Sequence, residues 1–126
     1  AGCGCFAAPI DVVLAEDTVV QPDLIIVCDP EKWANGKHII GAPDAVVEIL
    51  SPSTALKDRR EKKALYQRAG VKEYLMIDPA GDYAEYFLLG PSGEYASGVL
   101  LGLEDDVAFQ CLPGFSQPLS VIMQTD

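Results

Sequence analysis

Ala45-Val46-Val47-Glu48-Ile49-Leu50-Ser51-Pro52-Ser53-Thr54 is the stretch on which the fold turns. Ala45 to Leu50 is apolar apart from Glu48, and three of its members are β-branched. Such a run reads as a strand buried on both faces, with one charge inside it. Ser51 to Thr54 then turns the chain. Ser53 or Thr54 can cap a helix, and Gly70 stands where a glycine ends one, so the spacing predicts a helix over Ala55–Ala69. Glu73-Tyr74-Leu75-Met76-Ile77-Asp78 reads as the next strand, stopped by Pro79. Strand, helix and strand in that order imply a right-handed parallel crossover.

Upstream, Leu24 to Cys28 is a second apolar run, bounded by Pro22 and Pro30. Ile10 to Leu14 reads as a short strand broken by Asp11, and Asp29 to Pro43 as a loop with one helical turn. Downstream, Tyr83–Leu89 and Glu94–Leu101 read as a hairpin around Gly90-Pro91-Ser92-Gly93. The tail after Pro113 reads as irregular or as a terminal strand. The expectation is an α/β (α+β) fold, a mixed central sheet with a crossover helix, in a single domain over residues 1–126. A length of 126 residues supports one core and not two.

Nine basic against nineteen acidic residues give a net charge of -10, which argues against binding nucleic acid through general electrostatics. Any such role needs a local basic patch or a bound cation. Six of the nine basic residues lie between Lys57 and Arg68, on the predicted helix. No apolar run approaches the roughly 18 residues that span a bilayer, so no membrane role is expected. Cys3-Gly4-Cys5 lacks the spacing of a zinc half-site, and His38 is the sole histidine. The four cysteines are expected to be small apolar residues in a reducing cytoplasm. The chain starts at Ala1, without the pattern of a signal peptide, and reads as the interior of something longer.

Three charges stand where apolar residues belong. Glu48 lies inside an apolar strand, and a buried carboxylate costs several kcal/mol unless it is paired, hydrogen-bonded or bound to a cation. The alternatives are a satisfied ion pair or a strand edge open to water. At about 100° per residue, Ala55, Asp58, Lys62, Leu65, Tyr66 and Ala69 share the helix stripe that should face the sheet. Lys57, Arg60, Lys63 and Arg68 point away, so Lys63 is expected to be much more exposed than Lys62 and its loss to matter little. Lys62 either pairs with Asp58 at the rim or is held over the sheet near Glu48. Asp23 opens a buried strand, and it and Glu48 occupy comparable places on two apolar strands. If those strands pair, two carboxylates converge within about 4–6 Å, and a hard divalent cation is the usual remedy. Two acids and a nearby lysine form a constellation suited to phosphodiester hydrolysis.

Gln21-Pro22-Asp23-Leu24-Ile25-Ile26-Val27, Val46 to Thr54, Asp58-Arg59-Arg60-Glu61-Lys62, and Tyr66 with Ala69 to Tyr74 and Ile77-Asp78-Pro79 resemble the ordered motifs of the Uma-two family. That family, also called domain of unknown function 820, is restriction-endonuclease-like and belongs to the PD-(D/E)XK nuclease superfamily. The resemblance runs from about Asp11 to Asp78. It implies that Asp23 and Glu48 are the two acids, with metal ligands Asp23, Glu48 and the Ile49 carbonyl. Leu50 stands where the superfamily's usual lysine would be, and Lys62 matches the position to which the family has moved it. The implied catalytic residues are Asp23, Glu48 and Lys62, and the implied cofactor is Mg²⁺ or Mn²⁺. Family members usually carry a further N-terminal region with another acid, which nothing here matches. The first strand is therefore expected to leave an open or partner-covered edge, and the chain to form a homodimer.

The leading expectation is a Mg²⁺-dependent endonuclease acting on DNA. The alternatives are a non-catalytic interaction or oligomerisation module on a nuclease scaffold, and a structural cluster in which Asp23, Glu48 and Lys62 neutralise one another.

Overall fold

The computed structural model describes residues 2–51 and 56–124, with the side chains of Lys57 and Asp58 not described. Its strands are β1 Gly4–Ala7, β2 Val12–Ala15, β3 Thr18–Val20, β4 Leu24–Val27, β5 Ile39–Ile40 and β6 Ala45–Ile49. After the helix α1, Leu56–Ala69, follow β7 Glu73–Asp78, β8 Tyr83–Leu88, β9 Val99–Gly102, β10 Asp106–Ala108 and β11 Ser116–Pro118. A single turn of helix, α2 Leu119–Ile122, comes last.

A six-stranded mixed sheet in the order β1-β4-β6-β7-β8-β9 forms the frame. β6 and β7 are parallel and joined by α1, as the central stretch of sequence predicts, and the other neighbours are antiparallel. The helix ends where expected: Gly70 takes φ +85°, a value open to glycine without steric cost, and its N–H meets the Gln67 carbonyl. Ser53, Thr54 and Ala55, the expected cap and first helical residue, lie outside the described residues.

Both faces of the sheet are covered, which is why β4, β6 and β7 are continuous apolar runs. One face carries Ile25, Val27, Val46, Tyr74, Met76 and Phe87, packed under Tyr66 of α1. The small sheet β3-β2-β5 packs there too, through Val12 and Ile39. The other face carries Ile26, Val47, Leu75 and Ile77 beneath Val107, Phe109 and Leu119 of the C-terminal segment.

Several expectations are corrected. The strand at Ile10–Leu14 exists as β2, but it belongs to the small sheet and not to the edge of the large one. The edge is β1, whose four residues Gly4-Cys5-Phe6-Ala7 carry little apolar signal. Among the described strands β1 is hydrogen-bonded to β4 alone. The 29–43 loop does contain one helical turn, a 3₁₀ turn at Pro30–Trp33 capped by the Asp29 carboxylate, but it also holds β5. The turn closes as expected, with the Gly90 N–H on the Glu94 carbonyl and Leu89 bridged to Tyr95, but the returning strand is interrupted after Ala96 and resumes only from Val99 as β9, which ends one residue past the expected Leu101. The tail forms β11 and α2.

The cysteines are not all small apolar thiols. The β1–β4 register pairs Gly4 with Val27, so the next pair outward is Cys3 and Cys28, and these are joined as a disulfide. Cys5 is free and exposed, and Cys111 is a half-buried thiol that burial, with Glu73 nearby, pushes up to about 12.

Glu73 opens β7 only 2% exposed, and it is fully provided for. Its carboxylate accepts from the Tyr86 hydroxyl (2.6 Å), the Gln110 N–H (2.6 Å) and the Cys111 N–H (3.0 Å). It therefore ties the C-terminal segment to the sheet. Glu73→Ala strands three donors, so we expect it to destabilise the fold by about 3 kcal/mol, and Glu73→Gln by less. Urea-denaturation midpoints check this, and an unchanged midpoint for Glu73→Ala would refute the tie.

Candidate active site

Antiparallel pairing of β4 with β6 sets Leu24 opposite Val47. One residue further, the same register sets Asp23 opposite Glu48. Both side chains line one hollow of about 240 Å³ at the end of β6, together with Ile49, Arg59 and Lys62. The two acids expected from the sequence are thus brought to the same place, and on the face that α1 covers.

Glu48 is 5% exposed. Tyr66, itself 1% exposed on α1, donates its hydroxyl to Glu48 Oε2 at 2.5 Å. Lys62 Nζ meets the same oxygen at 3.3 Å. Among the described residues no hydrogen bond falls on Oε1. Burial is the main cause that raises the Glu48 carboxyl above its ordinary value, and the charge of Asp23 pushes the same way. Tyr66 and Lys62 pull it back without cancelling the rise. Burial and the Glu48 carboxylate together push the Tyr66 hydroxyl upward, so it stays a proton donor to Glu48.

Asp23 is fixed differently. Its Oδ2 accepts the Ile49 N–H at 2.6 Å. Leu50 N–H points to Ile77 on β7. Peptide groups alternate along a strand, so the Ile49 N–H and C=O face the opposite way, toward Asp23. The Ile49 carbonyl and the two carboxylates are therefore oxygen donors to one hollow. Among the described residues no three His, Cys, Asp or Glu side chains cluster as a metal site, and the hollow's other oxygen-bearing neighbours include the Ile49 backbone, Gln21 and Ser51.

The helix face is rotated from the expected one. Tyr66 and Lys62 do face the sheet, but the stripe is centred nearer Arg59 and Lys63, a turn of about 60° at 100° per residue. Lys63 is half-buried like Lys62, its Nζ 4.4 Å from the centroid of the Phe87 ring, so the expectation of a solvent-pointing Lys63 is overturned. Hydrophobicity misplaced the stripe because this helix meets the sheet largely through long cations, which rest on aromatic rings and hydroxyls. The side chain of Asp58, the alternative partner of Lys62, lies outside the described residues. Two residues escaped the sequence reading. Arg59 donates to the Tyr83 hydroxyl at 2.9 Å and borders the hollow. Tyr66 faces the sheet as the periodicity predicts, and its bond to Glu48 is foreshadowed only by a phenol standing one turn from Lys62 on that stripe.

A family model described as "Uma2: Putative restriction endonuclease" matches residues 1–121. Among solved structures, a "putative nuclease belonging to DUF820" from Anabaena variabilis superposes with a TM-score of 0.70 at 16% identity, over 94% of this chain and 66% of that one. At that identity the likeness speaks for the fold, and this chain spans just under two thirds of that protein's length. No curated protein matches the chain. Almost the whole sequence fits the family model, and the mixed sheet with its crossover helix fits the solved fold: the chain belongs to the Uma2 family of restriction-endonuclease-like proteins.

Proposed function

We propose that this protein is a Mg²⁺- or Mn²⁺-dependent endonuclease that hydrolyses DNA phosphodiester bonds. The observation that carries the reading is the convergence of Asp23 and the buried Glu48 on one hollow, with Lys62 at the second acid. Two carboxylates and a backbone carbonyl form an oxygen donor set that suits a hard divalent cation. A metal held by Asp23, Glu48 and the Ile49 carbonyl would supply a more acidic bound water and offset the phosphate's charge. The remaining roles belong to the chain itself. Ile49 N–H fixes Asp23, and Tyr66 fixes Glu48 through Oε2. Lys62 is 41% exposed, so it reaches the hollow from its open side and can donate to a phosphate oxygen as negative charge develops.

A second reading, a nuclease scaffold serving as an interaction module, is favoured by the satisfaction of Glu48 inside the protein by Tyr66 and Lys62. Titration with metal separates the two readings. A homodimer belongs to the proposal as well: β9 is the far edge of the sheet and exposes Val99 and Leu100, and open edges invite pairing. Light scattering at micromolar concentration tests that part, and a monomer would remove it.

Calorimetry should show Mg²⁺ or Mn²⁺ binding that Glu48→Ala abolishes together with cleavage. Lys62→Ala should keep metal affinity within a few-fold while cleavage falls by roughly 10²–10³. Ca²⁺ should bind without supporting cleavage, being larger and less strictly octahedral. Absence of both metal binding and cleavage in the wild type would favour the scaffold reading.

Stability without metal gives a further test. The folded protein holds the Glu48 proton more tightly than the unfolded chain, whose value is near 4.5. Proton binding therefore stabilises the fold below 4.5, and that contribution is lost as pH rises through the raised folded value. Glutamine carries no such proton and still accepts from Tyr66. Relative to wild type, Glu48→Gln should gain stability as pH rises from about 4.5 and then level off. Urea denaturation in chelator across that range checks it, and a pH-independent difference would contradict the raised carboxyl.

A further inference from the structure

A second hollow, of about 530 Å³, opens beside the carboxylate hollow, and the two share Arg59 and Tyr74. Arg59, Arg60 and Lys63 of α1 border it along one side. Phe87 and Met76 of the sheet and Leu56 of the helix supply apolar surface. The volume falls within the range of small-molecule sites. Charge is unevenly spread to reach this arrangement: the chain carries -10 overall, yet three of its nine basic residues border this one hollow.

The partners of these cations are as telling as their number. Arg59 rests on a tyrosine hydroxyl, and Lys63 lies over the Phe87 ring. Neither contact neutralises charge, so both side chains are oriented and remain able to receive an anion. Glu85 also borders the hollow, and the charges of Asp78 and Glu85 both reach Arg59. Phe87 is 4% exposed, stacked on Tyr74 and lying beneath Lys63, so its ring becomes a platform only when that lysine swings from it onto a phosphate. Such side-chain motion is fast and needs no backbone change.

We propose that this hollow is a nucleotide subsite, which takes one unstacked nucleotide of a single-stranded segment beside the phosphodiester at Asp23 and Glu48. Arg59, at the junction of the two hollows, takes the phosphate between them. Lys63 takes the next phosphate, and the base lies on Phe87 in its place. Cations along a backbone track with an aromatic platform is the general chemistry of single-strand binding. The proposal rests on the nuclease reading only in taking the carboxylate hollow as the place of cleavage. It implies a preference for single-stranded or locally opened nucleic acid over an intact duplex.

The test is fluorescence anisotropy of labelled octathymidylate in chelator, so that binding is read without metal or cleavage. A hairpin duplex and inorganic polyphosphate serve as competitors. We expect octathymidylate to bind more tightly than the duplex and to resist polyphosphate of equal charge. Lys63→Ala should weaken binding and lower the salt slope by about 0.7, and Lys63→Arg should restore both. Phe87→Leu, with its fold checked by circular dichroism, should weaken octathymidylate by roughly five- to a hundred-fold while leaving polyphosphate affinity unchanged. Equal competition by polyphosphate, or a Phe87→Leu variant that binds as wild type, would reduce the hollow to an anion patch and overturn the subsite. Loss of octathymidylate binding in a wild type that still binds Mn²⁺ would overturn the subsite alone. Octathymidylate binding without any Mn²⁺ binding would keep the subsite and overturn the metal reading.

Discussion

The hydrogen bond from Tyr66 to Glu48 joins the two elements on which everything else is hung. It crosses from the last turn of α1 to the end of β6, and both of its residues are nearly sealed from water. A carboxylate in that position carries a desolvation cost of several kcal/mol that apolar packing cannot offset. The phenol and the nearby ammonium of Lys62 lower that cost, and in doing so they fix the rotation of the helix over the sheet. Arg59 and Lys63 follow from that rotation, since they lie on the same stripe as Tyr66 and Lys62. The position of the hollow and its basic flank is thus a consequence of how one buried acid is accommodated.

Glu73 is the instructive contrast. It too is a buried acid in the same sheet, but on the opposite face. Three donors surround it, two of them backbone N–H groups of the C-terminal segment. Its job is done by closure of the fold. Glu48 receives contacts on one oxygen and faces a second acid across the strand boundary. The Glu73 carboxylate has donors on both oxygens, whereas among the described residues the Glu48 carboxylate has its partners on Oε2 alone, beside like charge. That difference in surroundings, and not residue type or burial, sets the two acids apart.

The same separation runs through the charge distribution. An acidic chain is disfavoured at a polyanion unless its cations are gathered, and α1 gathers six of the nine. Aromatic rings and hydroxyls on β8 receive two of them, Arg59 and Lys63, and the charges of Asp78 and Glu85 also reach Arg59. On the far side of the sheet, the Cys3–Cys28 disulfide and the Cys111 carbonyl, 3.6 Å from Cys3 Sγ, lie near the Glu73 tie. The two faces therefore differ in kind: one is fastened, and the other is left with open donors and acceptors.

Strand β6, helix α1 and strand β7 were legible from the sequence because each carries a local signal: an unbroken apolar run, a glycine at the helix end, a proline after the strand. Asp23, Glu48 and Lys62 were legible because a charge inside such a pattern violates it. Local pattern could not show β1, whose pairing is made by a partner twenty residues away. It could not show the disulfide, which exists because that pairing sets Cys3 across from Cys28. The helix rotation was likewise a tertiary decision. Periodicity locates a stripe by hydrophobicity, whereas here a phenol, an ammonium and a guanidinium meet the sheet through particular acceptors. Sequence alone determined which residues are anomalous, because burial energetics act on each residue's own chemistry. The tertiary structure decided which of them meet, because a contact depends on register and rotation, and these are set by both partners at once.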